Sequence, residues 1–432
     1  MSTSNGLRKV VLIDGGRTPF LKSGTDYKNL MAYDLARMAI KSLLTKTNID
    51  PGQVDWVIMG NVVSNFSTSN VARDAALAAG IPEKVPANTV SLACVSANKA
   101  ITDGIDLIQT GQADVVIAGG VENLSDIPIR YRKRFRQKLL ESQKYRKPLD
   151  YLKFIRGLKF SDLLPEIPSI AEFSTGRTMG QDCDRMAARI GVTREKQDQF
   201  AARSHRAAAK AAEEGFLKDE VFPTAIPPKF EVIEKDNGVR GDTTEEKLAS
   251  LKPAFIKPYG TLTAGNSSYL TDGAAAVLIM AEDVAKSLDC QPKAAFKSYA
   301  YSAQDPQEEL LLGPAYSTPK VLDKTNLSLN DIDVFEFHEA FAAQVVANLK
   351  CLDSEKFAKE KLGKNKKIGE VPLDKLNNWG GSLSVGHPFG ATGARLVTTA
   401  ANRLIKEDGQ FALIASCAAG AVGNAMILER YS

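Results

Sequence analysis

Four side chains able to do nucleophilic or proton-transfer chemistry sit in tight turns far apart in the sequence. Cys94 lies in Val90-Ser91-Leu92-Ala93-Cys94-Val95-Ser96, His338 in Phe337-His338-Glu339-Ala340-Phe341, His387 in Gly386-His387-Pro388-Phe389-Gly390, and Cys417 in Ser416-Cys417-Ala418-Ala419-Gly420. The chain has only three histidines and five cysteines. Composition alone does not place two of each in glycine-rich or acid-flanked turns. A thiol with acid/base groups near it suits covalent catalysis through a thioester, meaning acyl transfer or carbon–carbon bond chemistry.

Each residue has a plainer competing reading. Cys94 follows a strand-like run and precedes a helical pattern, where the positive end of the helix macrodipole is expected to lower its pKa and favour thiolate. The alternative is a buried structural cysteine. His387 sits among Gly380, Gly381, Gly386, Gly390 and Gly393, which permit close backbone approach; the alternative is an ordinary loop histidine. No Walker lysine or Rossmann acidic partner accompanies these glycines, which argues against a phosphate cradle. Cys417 opens a small-residue turn whose N–H groups could form an oxyanion hole. His338 leads into a helix, with Glu339 placed to orient a neighbour. His205, in Arg203-Ser204-His205-Arg206, reads as structural or surface. No two of these Cys and His candidates are two to five residues apart, as structural zinc ligands usually are, so no metal is expected.

The elements around these turns alternate strand and helix. Val10-Val11-Leu12-Ile13, Val54 to Met59 and Asp114 to Ala118, the last ending at Gly119-Gly120, read as strands. Ala97 to Gln109 reads as a helix, with Ala100, Ile101, Ile105 and Ile108 on one face. The rhythm repeats in the second half. Thr47-Asn48-Ile49-Asp50 precedes Val54-Asp55-Trp56-Val57 as Thr325-Asn326-Leu327-Ser328 precedes Ile332-Asp333-Val334-Phe335. Gly111 to Ala118 resembles Gly409 to Ala415 in the same way. A duplicated α/β unit, packed face to face, explains both matches. Cys94 lies in the turn of one copy and His387 in that of the other. Between the copies the alternation lapses, although Thr193 to Glu214 is strongly helical and Leu164-Pro165-Glu166-Ile167-Pro168 breaks structure. The expected organisation is a first half at 1–121, an insertion at 122–250, a return at 251–284 ending in a strand from Ala274 to Met280, and a second half at 285–432.

At 432 residues, 44% hydrophobic and 25% charged, the chain is of ordinary globular composition and long enough for two or three domains. Its cysteines are odd in number and widely spaced, which suits a reducing compartment. No apolar run reaches a membrane-spanning length, and the first strand starts almost at Met1. The expected location is therefore the cytoplasm, compatible with membrane association, with the mitochondrial matrix or inner-membrane face as the alternative. The formal net charge of +4 conceals an asymmetry. Residues 130–159 carry twelve basic side chains against Glu141 and Asp150, a net +10 that leaves −6 for everything else. Tyr131, Phe135 and Leu139 share helical spacing, as do Leu149, Leu152, Ile155 and Leu158. That basic amphipathic pattern suggests an anionic membrane surface or a partner subunit; a nucleic-acid partner is not expected.

These residues resemble those of the thiolases over essentially the whole chain. The matching signatures are Arg17-Thr18-Pro19-Phe20, Cys94 with Ser96, Thr263-Ala264-Gly265-Asn266-Ser267-Ser268 with Asp272-Gly273-Ala274-Ala275-Ala276, His338-Glu339-Ala340-Phe341, Gly380-Gly381-Ser382 running into Gly386 to Gly393, and Cys417-Ala418-Ala419-Gly420. Within the family the chain is most similar to the β subunits of trifunctional β-oxidation complexes and their bacterial 3-ketoacyl-CoA thiolase relatives. It has His338 where many thiolases have Asn, Cys-Ala-Ala-Gly at Cys417, and Ser125 to Arg130 leading into the basic stretch. Ala421 departs from the pattern, where Gly is usual.

The resemblance implies a five-layer α/β/α/β/α fold with an inserted loop domain, and a homodimeric core with a possible hydratase/dehydrogenase α subunit. It implies coenzyme A as cosubstrate, with no permanently bound cofactor. Cys94 would attack the 3-keto carbonyl, His387 would take its proton, and Cys417 would serve the departing acetyl-CoA and the incoming CoA thiol. His338 and His387 would hold one thioester oxygen, and the backbone N–H groups of Cys94 and Ala419 the other. Arg240 and Ser268 would contact CoA, and Phe341 would line the pocket. The rival readings are a biosynthetic acetoacetyl-CoA thiolase, a decarboxylating ketoacyl synthase, for which Cys417 would be superfluous, and a membrane-docking scaffold subunit with a vestigial site.

Overall fold

The structure is a computed structural model that describes residues 7–166 and 171–431. Ile167 and Pro168, in the proline-containing stretch singled out above, lie outside the described residues.

Two sheets form the frame. In the first, Ala87–Val90, Trp56–Gly60, Val115–Glu122, Thr271–Ala281 and Val10–Arg17 lie side by side; in the second, Val334–Phe337, Phe411–Ala418, Val422–Arg430 and Ala294–Ala303 do. They join edge to edge where Val11 pairs with Ala295 and Leu12 with Ala294. In the first sheet Trp56–Gly60 runs parallel to Val115–Glu122, which pairs antiparallel with Thr271–Ala281. In the second, Val334–Phe337 runs parallel to Phe411–Ala418, which pairs antiparallel with Val422–Arg430.

Side-chain alternation along each strand sorts residues into layers. Val10, Leu12, Ile58 and Val116 face one core; Val11, Ile13, Val57 and Ile117 face another. The core shared by both sheets is filled by two helices, Ser96–Gln109 through Ala97, Ile101 and Ile105, and Thr392–Lys406 through Leu396, Val397 and Leu404. Ala32–Thr47 and Val71–Ala78 cover the outer face of the first sheet. Gly313–Thr325 and Ala342–Leu352 cover that of the second. The result is the five-layer α/β/α/β/α arrangement. Thr392–Lys406 is buried from Thr392 through Leu404 because sheet lies on both sides of it. Its arginines need buried partners: Arg403 Nη1 lies 2.7 Å from Glu336 Oε1, and Arg395 Nη1 lies 3.5 Å from Glu336 Oε2.

The duplication is visible at the level of single hydrogen bonds. Asn48 and Asn326 both end a helix in the left-handed conformation, at φ 51° and 53°. Asparagine tolerates that region because it lacks β-branching and can bond locally. A single 3₁₀ turn follows each, at Pro51–Gln53 and Leu329–Asp331. Next, the Asp55 carboxylate accepts N–H bonds from Asp114 and Val115, and the Asp333 carboxylate accepts them from Gln410 and Phe411.

One strand end differs from expectation. Val115–Glu122 continues through Gly119-Gly120 instead of stopping there. The glycines serve close approach: a Cβ on Gly120 would lie 1.8 Å from the Gly390 carbonyl oxygen, and one on Gly119 2.2 Å from that of Ala275.

Among the described residues between Glu122 and Thr271, no strand joins the large sheet. Helices Lys133–Ser142, Pro148–Arg156, Met179–Ile190 and Arg194–Glu213 lie there instead. Thr178 caps the third with its side-chain oxygen and Thr193 caps the fourth. Such caps satisfy N–H groups that a helix start otherwise leaves open.

Candidate active site

A cavity of about 290 Å³ opens between the ends of the two halves and the intervening helical segment. Its wall holds Cys94, His387, Cys417, Ala419, Ser268 and Phe341, along with the apolar Val62, Met179, Phe255, Leu270, Leu311 and Phe389. His338 stands directly behind: its ring centroid is 4.1 Å from that of His387. One ring nitrogen of each histidine and Cys94 Sγ lie within 4.8 Å of one another. Spacing in the sequence argued against a metal, but the fold gathers three soft donors that no local spacing could reveal. The same trio is a nucleophile with two acid/base groups.

The Cys94 turn is held in an unusual shape. Ala93 has φ +47°, in the left-handed region. Ser96 Oγ clasps the turn, accepting from the Leu92 N–H at 2.8 Å and donating to the Ala93 carbonyl at 2.6 Å. This accounts for Cys94 and Ser96 occurring as a pair. The backbone N–H groups of Ala419 and of Cys94 itself lie against the thiol sulfur. The expected depressed pKa is not found. Burial among apolar groups pushes the Cys94 thiol up to about 12, with Glu122 adding to the rise against those two N–H groups. Desolvation of an anion outweighs a helix dipole here. Cys94 therefore rests as a neutral thiol and needs a base.

His387 is fixed on three sides. Gly386, at φ +105°, packs against Thr271 and Tyr269. The His387 N–H donates to Thr271 Oγ1 at 3.0 Å, and its Nδ1 lies 2.7 Å from Thr392 Oγ1. Farther along the turn, the Gly390 N–H donates to Glu122 Oε2 at 3.0 Å. Burial, helped by the charge of Arg395, lowers the His387 pKa to about 3. His338 is held by its N–H donating to the Ala415 carbonyl, and its Nδ1 lies 3.2 Å from Ser382 Oγ. Burial first, then His387 and Arg395, press its pKa well below the ordinary value. Both imidazoles are neutral, and neither Nε2 has a hydrogen-bond partner among the described residues.

Cys417 ends the strand Phe411–Ala418 and is buried. Burial and the proximity of Cys94 raise its pKa well above the ordinary value. Ala421, just beyond, has φ +56° and is fully buried. Phe341 stacks edge-on with Phe255, centroids 5.8 Å apart. Arg240 is not part of the cavity wall; it is exposed, and its N–H donates to His205 Nδ1 at 3.3 Å. His205 itself is fully buried, which corrects the surface alternative; burial lowers its pKa to about 4. Glu339 faces away from the cavity, accepting from Ser204, Asn377 and the Leu383 N–H.

Sequence reasoning missed Glu122 and Arg395, and it quoted Ser382 within Gly380-Gly381-Ser382 without giving it a role. Glu122 ends its strand fully buried and collects N–H donors from Val62, Val63, Gly390 and the Asn61 side chain. Burial pushes it up to about 7. Ser382 and Arg395 sit behind His338, Arg395 Nη2 donating to Ser382 Oγ at 3.0 Å. Glycines in the Gly119-Gly120 and Gly386 to Gly393 stretches signalled close packing, but nothing local named what they pack against.

Comparison with known proteins agrees with this geometry. The chain is 54% identical to the human mitochondrial trifunctional enzyme subunit beta, over 98% of this chain and 89% of that protein. It is 53% identical to a probable 3-ketoacyl-CoA thiolase of Caenorhabditis elegans, over 98% and 94%. The crystal structure of human mitochondrial 3-ketoacyl-CoA thiolase in complex with CoA superposes with a TM-score of 0.84 at 30% identity, covering 99% of each chain. The thiolase N-terminal domain matches residues 10–283 and the thiolase C-terminal domain residues 290–430. With both domains matched in order, the chain belongs to the thiolase family.

Proposed function

We propose that this protein is a 3-ketoacyl-CoA thiolase of fatty-acid β-oxidation, an acyltransferase that uses CoA to cleave 3-ketoacyl-CoA into acetyl-CoA and a shortened acyl-CoA. The observation that carries this is two neutral thiols, the half-buried Cys94 and the buried Cys417, sharing one apolar cavity with the neutral imidazole of His387.

The roles follow from the groups' resting states. Cys94 Sγ attacks the C3 carbonyl as its proton passes to His387. A thiol this reluctant to ionise loses its proton only as the new carbon–sulfur bond forms. The N–H groups of Cys94 and Ala419 hold the C3 oxyanion. The C2–C3 bond then breaks, its electron pair moving to the thioester enolate, whose oxygen His338 and protonated His387 hold. Cys417 gives its proton to C2 and acetyl-CoA leaves. In the second half Cys417 thiolate takes the CoA thiol proton, CoA sulfur attacks the acyl-Cys94 carbonyl, and Cys94 departs, regaining a proton from His387. Ser268 and Phe341 line the acyl and thioester path. Arg240, outside the wall, suits the phosphate end of CoA. Cys417 distinguishes this reaction from decarboxylating condensation, which needs no second thiol.

Residues 122–250 are read as a loop domain inserted in the first half. A homodimeric core is read from the Ala87–Val90 edge, whose outer side pairs with no strand among the described residues. The trifunctional-enzyme relative supports an α subunit as partner, and its mitochondrial name favours the matrix over the cytoplasm. Among the described residues no helix is long and apolar enough to cross a membrane.

A second property rests on one specific surface. Leu139, Leu140, Leu149, Leu152 and Ile155 are exposed on the helices Lys133–Ser142 and Pro148–Arg156, which also expose the basic Lys133, Arg134, Arg136 and Arg156, and this suits docking on anionic lipid. Phe135 is not part of that face; it turns inward against Tyr131 and Phe154.

Mass spectrometry tests the reading. Protein treated with substrate should carry an acyl group on the Cys94 peptide, and Cys94→Ser should remove both adduct and turnover. An adduct on another residue would overturn the assignment.

A further inference from the structure

The two histidines of the cavity have the same kind of neighbour, a hydroxyl against Nδ1, but the hydroxyls differ in what else they bond. Ser382 Oγ receives an N–H from Arg395 at 3.0 Å and lies 3.2 Å from His338 Nδ1. A guanidinium has no acceptor and does not deprotonate in proteins. Its charge is balanced by Glu336, which it shares with Arg403. The serine must therefore accept from Arg395, and because His338 Nδ1 is the one other partner of Ser382 Oγ among the described residues, its single proton is satisfied only by donation to that nitrogen. A ring that accepts at Nδ1 carries its proton on Nε2.

Thr392 is arranged the other way. Its Oγ1 lies 3.0 Å from the Pro388 carbonyl, four residues back. That carbonyl can only accept, and this back-bond is the ordinary use of a threonine proton in a helix. Thr392 then accepts from His387 Nδ1 at 2.7 Å, and the lone pair of His387 is on Nε2.

We propose that Ser382, oriented by Arg395, is a positioning residue that holds His338 with its proton on Nε2, so that His338 is a standing oxyanion donor and the base role falls to His387, which Thr392 holds in the opposite tautomer. Two adjacent imidazoles of the same tautomer would either compete for the Cys94 proton or leave it without an acceptor. The assignment deepens the thiolase reading and rests on it for the word oxyanion, but the tautomers themselves do not.

The chain has three histidines, so ¹⁵N-histidine protein gives a three-ring spectrum, assigned with His338→Ala and His387→Ala. Two-bond ¹H–¹⁵N correlations are expected to show the proton on Nε2 of His338 and on Nδ1 of His387. In Ser382→Ala the His338 pattern should lose its single tautomer. Removing an oxyanion donor outright costs about 10²–10³ in kcat. Freeing its tautomer should cost about tenfold or more in kcat, with KM for the 3-ketoacyl-CoA little changed. In a His338→Ala background the same serine change should cost nothing further, whereas a merely structural role would persist. His338 carrying its proton on Nδ1, or Ser382→Ala with unchanged kcat, overturns the proposal. Correct tautomers in a protein that performs no thiolysis would instead refute the functional reading.

Discussion

Glu122 offers a sharp test of how burial governs this site. Its carboxylate is fully buried and faces only N–H donors. Oε1 takes Val63 and Asn61, and Oε2 takes Val62 and Gly390. No cation is among these partners. Burial therefore dominates and raises the group from its ordinary 4.5 to about 7. At about 1.4 kcal/mol per pK unit this corresponds to about 3 kcal/mol. The direction follows from linkage: a carboxyl whose folded pKa is raised binds its proton more tightly when folded. Its contribution is fully present below pH 4.5 and lost as pH rises through 7. Glu122→Gln has no such titration. In either amide orientation it faces two N–H donors with its own NH₂, at about 1–3 kcal/mol for each group left unpaired. The variant should thus be less stable at pH 4.5, with the gap to wild type closing by about 3 kcal/mol on going above pH 7. Urea unfolding across that range, with refolding verified, measures the gap. Other groups, including Glu336 raised to about 7 and the lowered His387, cancel in the difference. A gap that is constant or widens with pH would refute the reasoning.

Cys417→Ala should spare acylation of Cys94 by a simple acyl-CoA while carbon–carbon cleavage falls at least about 10²-fold, since only cleavage needs a proton at C2; equal losses in the two assays would count against a separate acid. Replacing Arg132, Lys133, Lys138 and Arg156 with Gln should weaken co-sedimentation with anionic vesicles by several orders of magnitude, at about 1 kcal/mol per basic residue, and leave thiolysis of a short substrate unchanged. The binding should also fall with salt, and wild-type protein that never sediments at low salt would sink the lipid reading. Ala421→Gly should alter stability by less than about 1 kcal/mol. Relief of the left-handed strain, about 1 kcal/mol, is offset by the loss of a buried methyl, about 0.8 kcal/mol; a thermal-unfolding shift well beyond that range in either direction would show that one term has been misjudged.

The sequence alone determined the elements and the residues that carry chemistry. Strands and helices were legible because burial against flat sheets imposes a period of two or 3.6 on side chains. The duplication was legible because Asn48 and Asn326, and Asp55 and Asp333, answer the same local demands: a left-handed helix end and a pair of open N–H groups. Cys94, His338, His387 and Cys417 stood out through their unusual turns. What they experience was decided only by tertiary structure. The thiol of Cys94 follows a strand and precedes a helix, and by that local rule should be acidic, but apolar walls drawn from distant segments reverse the sign. His205 reads as a charged-helix residue and is buried, with the Arg240 N–H brought against its ring from farther along the chain. Glu122 and Arg395 carry no local mark, and Ser382 is marked only as part of a glycine-rich run, since what matters about them is which donor or acceptor from a distant segment meets them. Desolvation and hydrogen-bond polarity depend on every neighbour in space. A single chain specifies those neighbours only once its two halves have closed around the same helices.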